Sequence, residues 1–477
     1  MMDTNKNLNE KDIYQAFNNM DFDESEFKNI PVEMSEMQKR RLKNNLNKQI
    51  KGEKGKKLKI ATTAAAVTLC CFIGISMAAP GFAKEIPVLR SIVQTISDKY
   101  DIQGEYQKYS QIINKTVYNN GMGFTINEVL CDDSELIISY TVKSDKKIKG
   151  LEIRQLFLGN NIKINGKTEN FGGGMQWDYL DDNTLIGVCE IDIGRKNMPK
   201  KFNIDLNISQ IFGVKGKWDT AFTVSRDELM SKTTVFKPNT KVEFPSSKIV
   251  VEKVMLSPIN TSIFIKGDYK DKNKDKYRDN MFDYDYWFVF DDKGNELSQK
   301  GSGGGTEGLF SKDDFHYKYD FQSLKDIPKY LTVVPCKITP TIEGGITEDG
   351  KAFEKTNKEV KEIKKAIDGK YPIELSQGKI GSLIVKEIKN EKDKTLIKYT
   401  ANGKAPNFQS TYLYIEDEKG ERIKPYNEFN RKKDENNSKE FILEVPRLEN
   451  GKKYFLCTNT LDNYEFKEDY MFKIPLK

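Results

Sequence analysis

The sequence predicts a mainly β protein: tandem immunoglobulin-like β-sandwich domains outside a membrane, one transmembrane helix, and a short helical cytoplasmic tail. Three observations carry this expectation. An alternating strand–turn–strand pattern occurs three times after residue 121. An apolar run from Ile60 to Ala79 contains no charge. The charge on the two sides of that run is lopsided.

The repeat compares Phe124–Ser144 (FTINEVLCDDSELIISYTVKS), Ile249–Tyr269 (IVVEKVMLSPINTSIFIKGDY) and Leu383–Gly403 (LIVKEIKNEKDKTLIKYTANG). Each opens on a strand with paired apolar positions: Ile126/Val129, Val251/Val254 and Val385/Ile388. A polar turn and a second alternating strand follow. The copies start roughly 125–135 residues apart, the length of one sandwich. Later elements recur in the same order. Tyr286–Leu297 (YWFVFDDKGNEL) parallels Thr411–Ile423 (TYLYIEDEKGERI), each a strand, a D-x-x-G-like turn and a strand, with Leu156–Lys167 as a looser first counterpart. The organisation expected is a tail at 1–59, a span at 60–79, a juxtamembrane helical segment at 80–120, sandwiches at 121–235 and 236–345, and a linker plus third sandwich at 346–477. The helical reading runs as far as Val117. The Glu343–Lys370 stretch reads as the linker or an insertion.

The 20 residues from Ile60 to Ala79 make a helix of about 30 Å at 1.5 Å per residue, the thickness of bilayer hydrocarbon. A secretory signal has a short n-region and a core of about 7–15 residues, whereas here 59 residues come first. The expectation is an uncleaved anchor. Residues 37–59 hold ten Lys/Arg (39, 40, 41, 43, 48, 51, 54, 56, 57, 59) against Glu53 alone. Positive charge stays inside, which puts the N-terminus in the cytoplasm and the region after residue 80 outside.

In the tail, Ile13, Phe17 and Met20 fall on one helical face, followed by an acidic link carrying Phe22 and Phe27. Ser35 and Gln38 have capping-box spacing, and Leu42, Leu46 and Ile50 form a second stripe. A segment this short buries little core alone and reads as one that folds on a partner. Candidate partner-binding residues are Ile13, Phe17, Met20, Phe22, Phe27, Leu42 and Leu46. Residues 1–36 carry nine acids and three bases, which favours a basic protein partner over nucleic acid.

Chemistry is sparse. The net charge of +6 is small for 477 residues, and the single histidine, His316, reads as an ordinary strand or surface residue. Cys131, Cys189, Cys336 and Cys457 lack CxxC spacing. A Cys131–Cys189 pair is the alternative to isolated buried thiols, the favoured reading. Asp271, Asn273, Asp275 and Asp279 fit four positions of a calcium loop, but Lys276 and Phe282 occupy the glycine and glutamate positions, so a solvated loop is expected. Gly301–Gly308 (GSGGGTEG) lacks a phosphate-cradle ending and reads as a flexible loop; Phe171–Tyr179 (FGGGMQWDY) reads similarly. No enzyme motif and no cofactor site is expected.

The tail DIYQAFNNMDFDESEF, the span, PGFAKEIPVLRSIV and the tandem sandwiches together resemble a membrane-anchored family of unknown function from low-GC Gram-positive bacteria, associated with extracytoplasmic-function sigma factors. The resemblance implies an anti-sigma-factor-like regulator: the tail holds a sigma factor, and the exterior senses the envelope. The tail lacks the His-x-x-x-Cys-x-x-Cys zinc pattern of one anti-sigma class. The alternatives are an anchored envelope or wall-binding protein whose tail has no regulatory role, and a secreted protein cleaved near Ala79 or Ala83 within the small-residue stretch SMAAPGFAK.

Overall fold

The structure is a computed structural model describing residues 91–100, 102–151, 156–168, 171–194, 198–270, 284, 286–306, 314–339, 342–346, 352–356, 360–425, 431–433 and 439–477. The tail residues Ile13, Phe17, Met20, Phe22, Phe27, Leu42 and Leu46, the apolar run, and the loop with Asp271, Asn273, Asp275 and Asp279 lie outside these. Among the described residues, no helix is long and apolar enough to cross a membrane.

The chain is mainly β and builds three sandwich-like units. In the first, Gln111–Asn119, Met122–Cys131, Glu135–Ser144, Thr184–Asp192 and Gly173–Tyr179 form one sheet in that spatial order. It faces a sheet ordered Thr220–Ser225, Lys201–Leu206, Ile162–Ile164, Lys167–Thr168. Phe124, Ile138, Tyr140, Ile204, Trp218 and Val224 fill the space between them, and the Trp218 indole N–H donates to the Met122 carbonyl at 2.9 Å. The strand beginning at Gln111 corrects the helical reading of residues up to Val117. Helix ends at Tyr109, and Gln111–Asn119 pairs with Met122–Cys131 along its length.

The repeat has a structural cause. Residues three apart on a regular strand face opposite sides, yet Ile126 and Val129 both enter the core, as do Val251 and Val254. A β-bulge lies between them in every unit: the register shifts at Ile126/Glu128, Val251/Lys253 and Val385/Glu387. The extra residue turns the second apolar side chain inward. The D-x-x-G match also holds. Asp291 Oδ1 accepts from the N–H groups of Lys293 (2.9 Å) and Asn295 (2.7 Å), with Gly294 at φ 80°. Asp417 Oδ1 accepts from Lys419 (2.8 Å) and Glu421 (2.9 Å), with Gly420 at φ 81°. The first unit closes its counterpart hairpin with a two-residue turn, Asn165 and Gly166, both at positive φ.

The glycine run is a strand, not a flexible loop. Gln299–Thr306 pairs antiparallel with Asp314–Phe321, the place Gly173–Tyr179 occupies in the first unit. Gly304 is required there, because a Cβ would approach a Tyr317 ring atom to 2.0 Å. The linker is also ordered into strands. Ile342–Ile346 and Ala352–Thr356 form a hairpin, and Glu362–Ala366 is an edge strand of the third unit beside Tyr454–Asn459.

The seat beside the Tyr330–Ile338 strand of the second unit is filled from far along the chain. Tyr464–Phe466 and Phe472–Pro475 both pair with it, and Ile474 and Leu476 are fully buried in the second core with Trp287 and Tyr319. The chain thus passes from the second unit through the third and returns, although the sequence reading assigned residues to 477 to the third sandwich.

Candidate functional site

Among the described residues, the first element after the apolar run is the helix Ile92–Lys99. Ser91 caps it by accepting from the Gln94 N–H at 3.2 Å. Glu128, just past the first bulge, holds the same end. Its Oε2 accepts from Ser91 Oγ (2.8 Å) and from the Val93 N–H (3.3 Å). A carboxylate at a helix N-terminus is favoured by the helix dipole. Burial nevertheless raises the Glu128 carboxyl above its ordinary range, opposed by those hydrogen bonds. Ile92, Val93 and Ile96 pack on Leu130, Ile137, Ile186 and Val188, so the central strands of this sheet are covered on both faces. At its far end the helix is tied to the sheet edge by Tyr100 Oη donating to the Trp177 carbonyl (3.1 Å) and by Lys99 with Asp178 (2.7 Å).

The chain then reaches the second unit. The Glu105 N–H donates to the Pro258 carbonyl (3.1 Å), and Tyr106 Oη donates to the Ile259 carbonyl (3.0 Å). Burial pushes the Tyr106 phenol up to about 12.

Beneath Tyr106 is a buried charge cluster joining the first and second units. Lys300 Nζ lies 3.3 Å from Glu135 Oε1, with each side chain 4% exposed. Lys318 Nζ lies 2.9 Å from Asp320 and 3.3 Å from Asp192, and donates to the Ser134 carbonyl at 3.3 Å. Asn260 Nδ2 bridges to Glu135 (2.7 Å) and Ser134 (3.0 Å), and Ser262 Oγ donates to Asp320 at 2.6 Å. Burial alone would lower Lys300, but Glu135, Tyr106, Glu190 and Asp320 outweigh it and hold the ammonium well above the ordinary lysine range. Lys318 is raised in the same way, chiefly by Asp320. Burial raises the carboxyls of Asp132, Glu190 and Asp320. The lysines therefore stay charged.

A second junction joins the second and third units. Glu296 accepts from the N–H groups of Asn407 (2.7 Å) and Phe408 (3.2 Å), while Asn407 Nδ2 donates to the Glu296 carbonyl (2.7 Å). Burial pushes its carboxyl up to about 7, against the lowering effect of the two N–H groups and Lys433. Phe288, Phe408, Tyr412, Tyr464 and Phe466 form an apolar cluster at the same junction.

None of these junction residues was singled out in the sequence. The signal was present in FHYKYDF: Lys318 and Asp320 alternate with Tyr317, Tyr319 and Phe321, marking a polar face. That face reads as solvent-facing, but the first unit covers it. His316 lies on the same strand, half-buried. The four described cysteines are buried and free, so Cys131 and Cys189 do not pair. Among the described residues, Glu362, Glu416 and Cys457 lie close enough to share an ion. However, Lys364 already pairs with Glu416 at 2.7 Å, Tyr414 Oη donates to Glu362 at 2.5 Å, and burial pushes the Cys457 thiol up to about 12. A protonated thiol beside an ammonium is a poor metal site.

Residues 53–144 match the family model described as Domain of unknown function (DUF4179), and residues 233–375 match the one described as Family of unknown function (DUF5643). No curated protein matches the chain. A solved structure described as the crystal structure of the conserved domain protein from Bacillus anthracis is similar at 21% identity and a TM-score of 0.40, over 52% of this chain and 86% of that one.

Proposed function

We propose that the protein is a single-pass membrane regulator of anti-sigma-factor type. Residues 60–79 anchor it, residues 1–59 hold an extracytoplasmic-function sigma factor in the cytoplasm, and immunoglobulin-like outer units sense the envelope. One observation supports this reading most. The helix Ile92–Lys99, only a short linker beyond the apolar run, is fastened to the first unit by Glu128 and by its apolar face, and Tyr106 ties the following turn to the second unit. Fastened in this way, the helix moves with the first and second units. A freely tethered helix would not.

The test is a pull-down with residues Met1–Lys59 from the native cytoplasm, paired with deletion of the tail in the cell. Enrichment of a sigma factor, with release of its regulon on deletion, is the expected outcome. No enrichment and unchanged transcription would overturn the reading.

A further inference from the structure

In the second unit, Gln299–Thr306 is an edge strand. Among the described residues it pairs only with Asp314–Phe321, and nothing pairs along its outer side. Three properties set this edge apart. From Gly301 to Thr306 it carries no charge and no proline, in a chain that is 31% charged; natural edges are ordinarily guarded by lysine, proline or a covering element. Ser302 and Gly304 are exposed. The packing explains Gly304, yet a Cβ on Gly301 or Gly303 would meet nothing within 4 Å. Glycine weakens a strand unless a second backbone must approach closely. The corresponding strand of the first unit is already capped, because Tyr100 Oη holds the Trp177 carbonyl at its edge.

We infer that the outer edge of Gly301–Thr306 pairs antiparallel with the same edge of a second copy of this chain, joining two second units in one continuous sheet. An antiparallel edge is its own complement about a twofold axis, and an uncharged strand meets its copy without repulsion. So few hydrogen bonds are weak in dilute solution, but two copies held in one membrane meet at a far higher effective concentration. Lys300, at the irregularity between Gln299 and Gly301, is buried against Glu135. The inference rests on the membrane-anchored reading, to which it adds the mode of signalling.

The test uses the full chain in lipid nanodiscs, with Cys70 and Cys71 replaced by alanine. Ser302→Cys is expected to form an intermolecular disulfide at least tenfold faster than Ile327→Cys, which is also exposed but lies elsewhere on the second unit. Adding Gly303→Lys, at a position where a Cβ meets nothing within 4 Å, is expected to abolish that difference while the melting profile stays unchanged. Equal rates at the two positions, or cross-linking that survives Gly303→Lys, would refute the inference. So would preferential capture of an unrelated peptide along this strand. Failure of the chain to enter nanodiscs instead strikes at the anchor, and the sigma-factor pull-down reads the tail independently of either.

Discussion

Titration of Glu296 should make the stability of the junction between the second and third units depend on pH. Its carboxyl ordinarily titrates near 4.5 and is pushed up to about 7 in the folded state. The native junction therefore binds the proton more tightly than the unfolded chain. Its stability is greatest on the acid side, declines as pH rises from the unfolded value toward 7, and levels off above that. The difference corresponds to about 3 kcal/mol at most, at 1.36 kcal/mol per tenfold change in proton affinity. Glu296→Gln keeps an acceptor for Asn407 and Phe408 without the charge. Calorimetric unfolding of the full chain from pH 5 to pH 9 should show the variant's transition overtaking that of the unmodified protein as pH increases. Other buried carboxyls titrate in both proteins, so the difference between them isolates Glu296. A difference independent of pH, or one that shrinks toward alkaline pH, would refute the reasoning.

Lys300→Met should cost about 3–5 kcal/mol, because it leaves Glu135 buried and uncompensated. Adding Glu135→Gln should recover much of that loss in denaturant titrations. Removal of residues 470–477 takes Phe472, Ile474 and Leu476 from the second core, where each buried large side chain contributes about 2–5 kcal/mol. Limited proteolysis should then cut the second unit while the first resists. Gly304→Ala should destabilise the protein by about 1–3 kcal/mol through collision with Tyr317. Gly303→Ala should be neutral or stabilising by about 0.5 kcal/mol in thermal unfolding.

What could be read from the sequence was local. The pairs Ile126/Val129 and Val251/Val254 revealed the repeat because the bulge puts both members in the core, and the D-x-x-G turns announced themselves through the side chains that close them. What escaped depends on partners distant in the chain. Lys318 and Asp320 alternate like surface residues and become interior only when Ser134 and Asp192 arrive from the first unit. Phe472–Pro475 looks like a strand of the unit it follows, and nothing local states that its hydrogen bonds go to Tyr330–Val333. The glycines at 301–305 suggested a loop by composition. Their strand geometry comes from Asp314–Phe321, whose Tyr317 ring occupies the place a Cβ on Gly304 would take. The candidate transmission site fell in this second class almost entirely, and Glu128 escaped because a buried carboxylate on a strand looks like any surface acid until a helix end is placed over it.

The return of the chain to the second unit also sets an order of events during biosynthesis. A unit whose strands are consecutive can close as soon as its last strand has been synthesised. The first unit has that property. The second cannot complete its sheet when Ile338 appears, because the residues that seat beside Tyr330–Ile338 are made only after the whole third unit. Until then its core lacks Phe472, Ile474 and Leu476. Closure then comes late, so the second unit can complete its sheet only in molecules whose third unit has already been made.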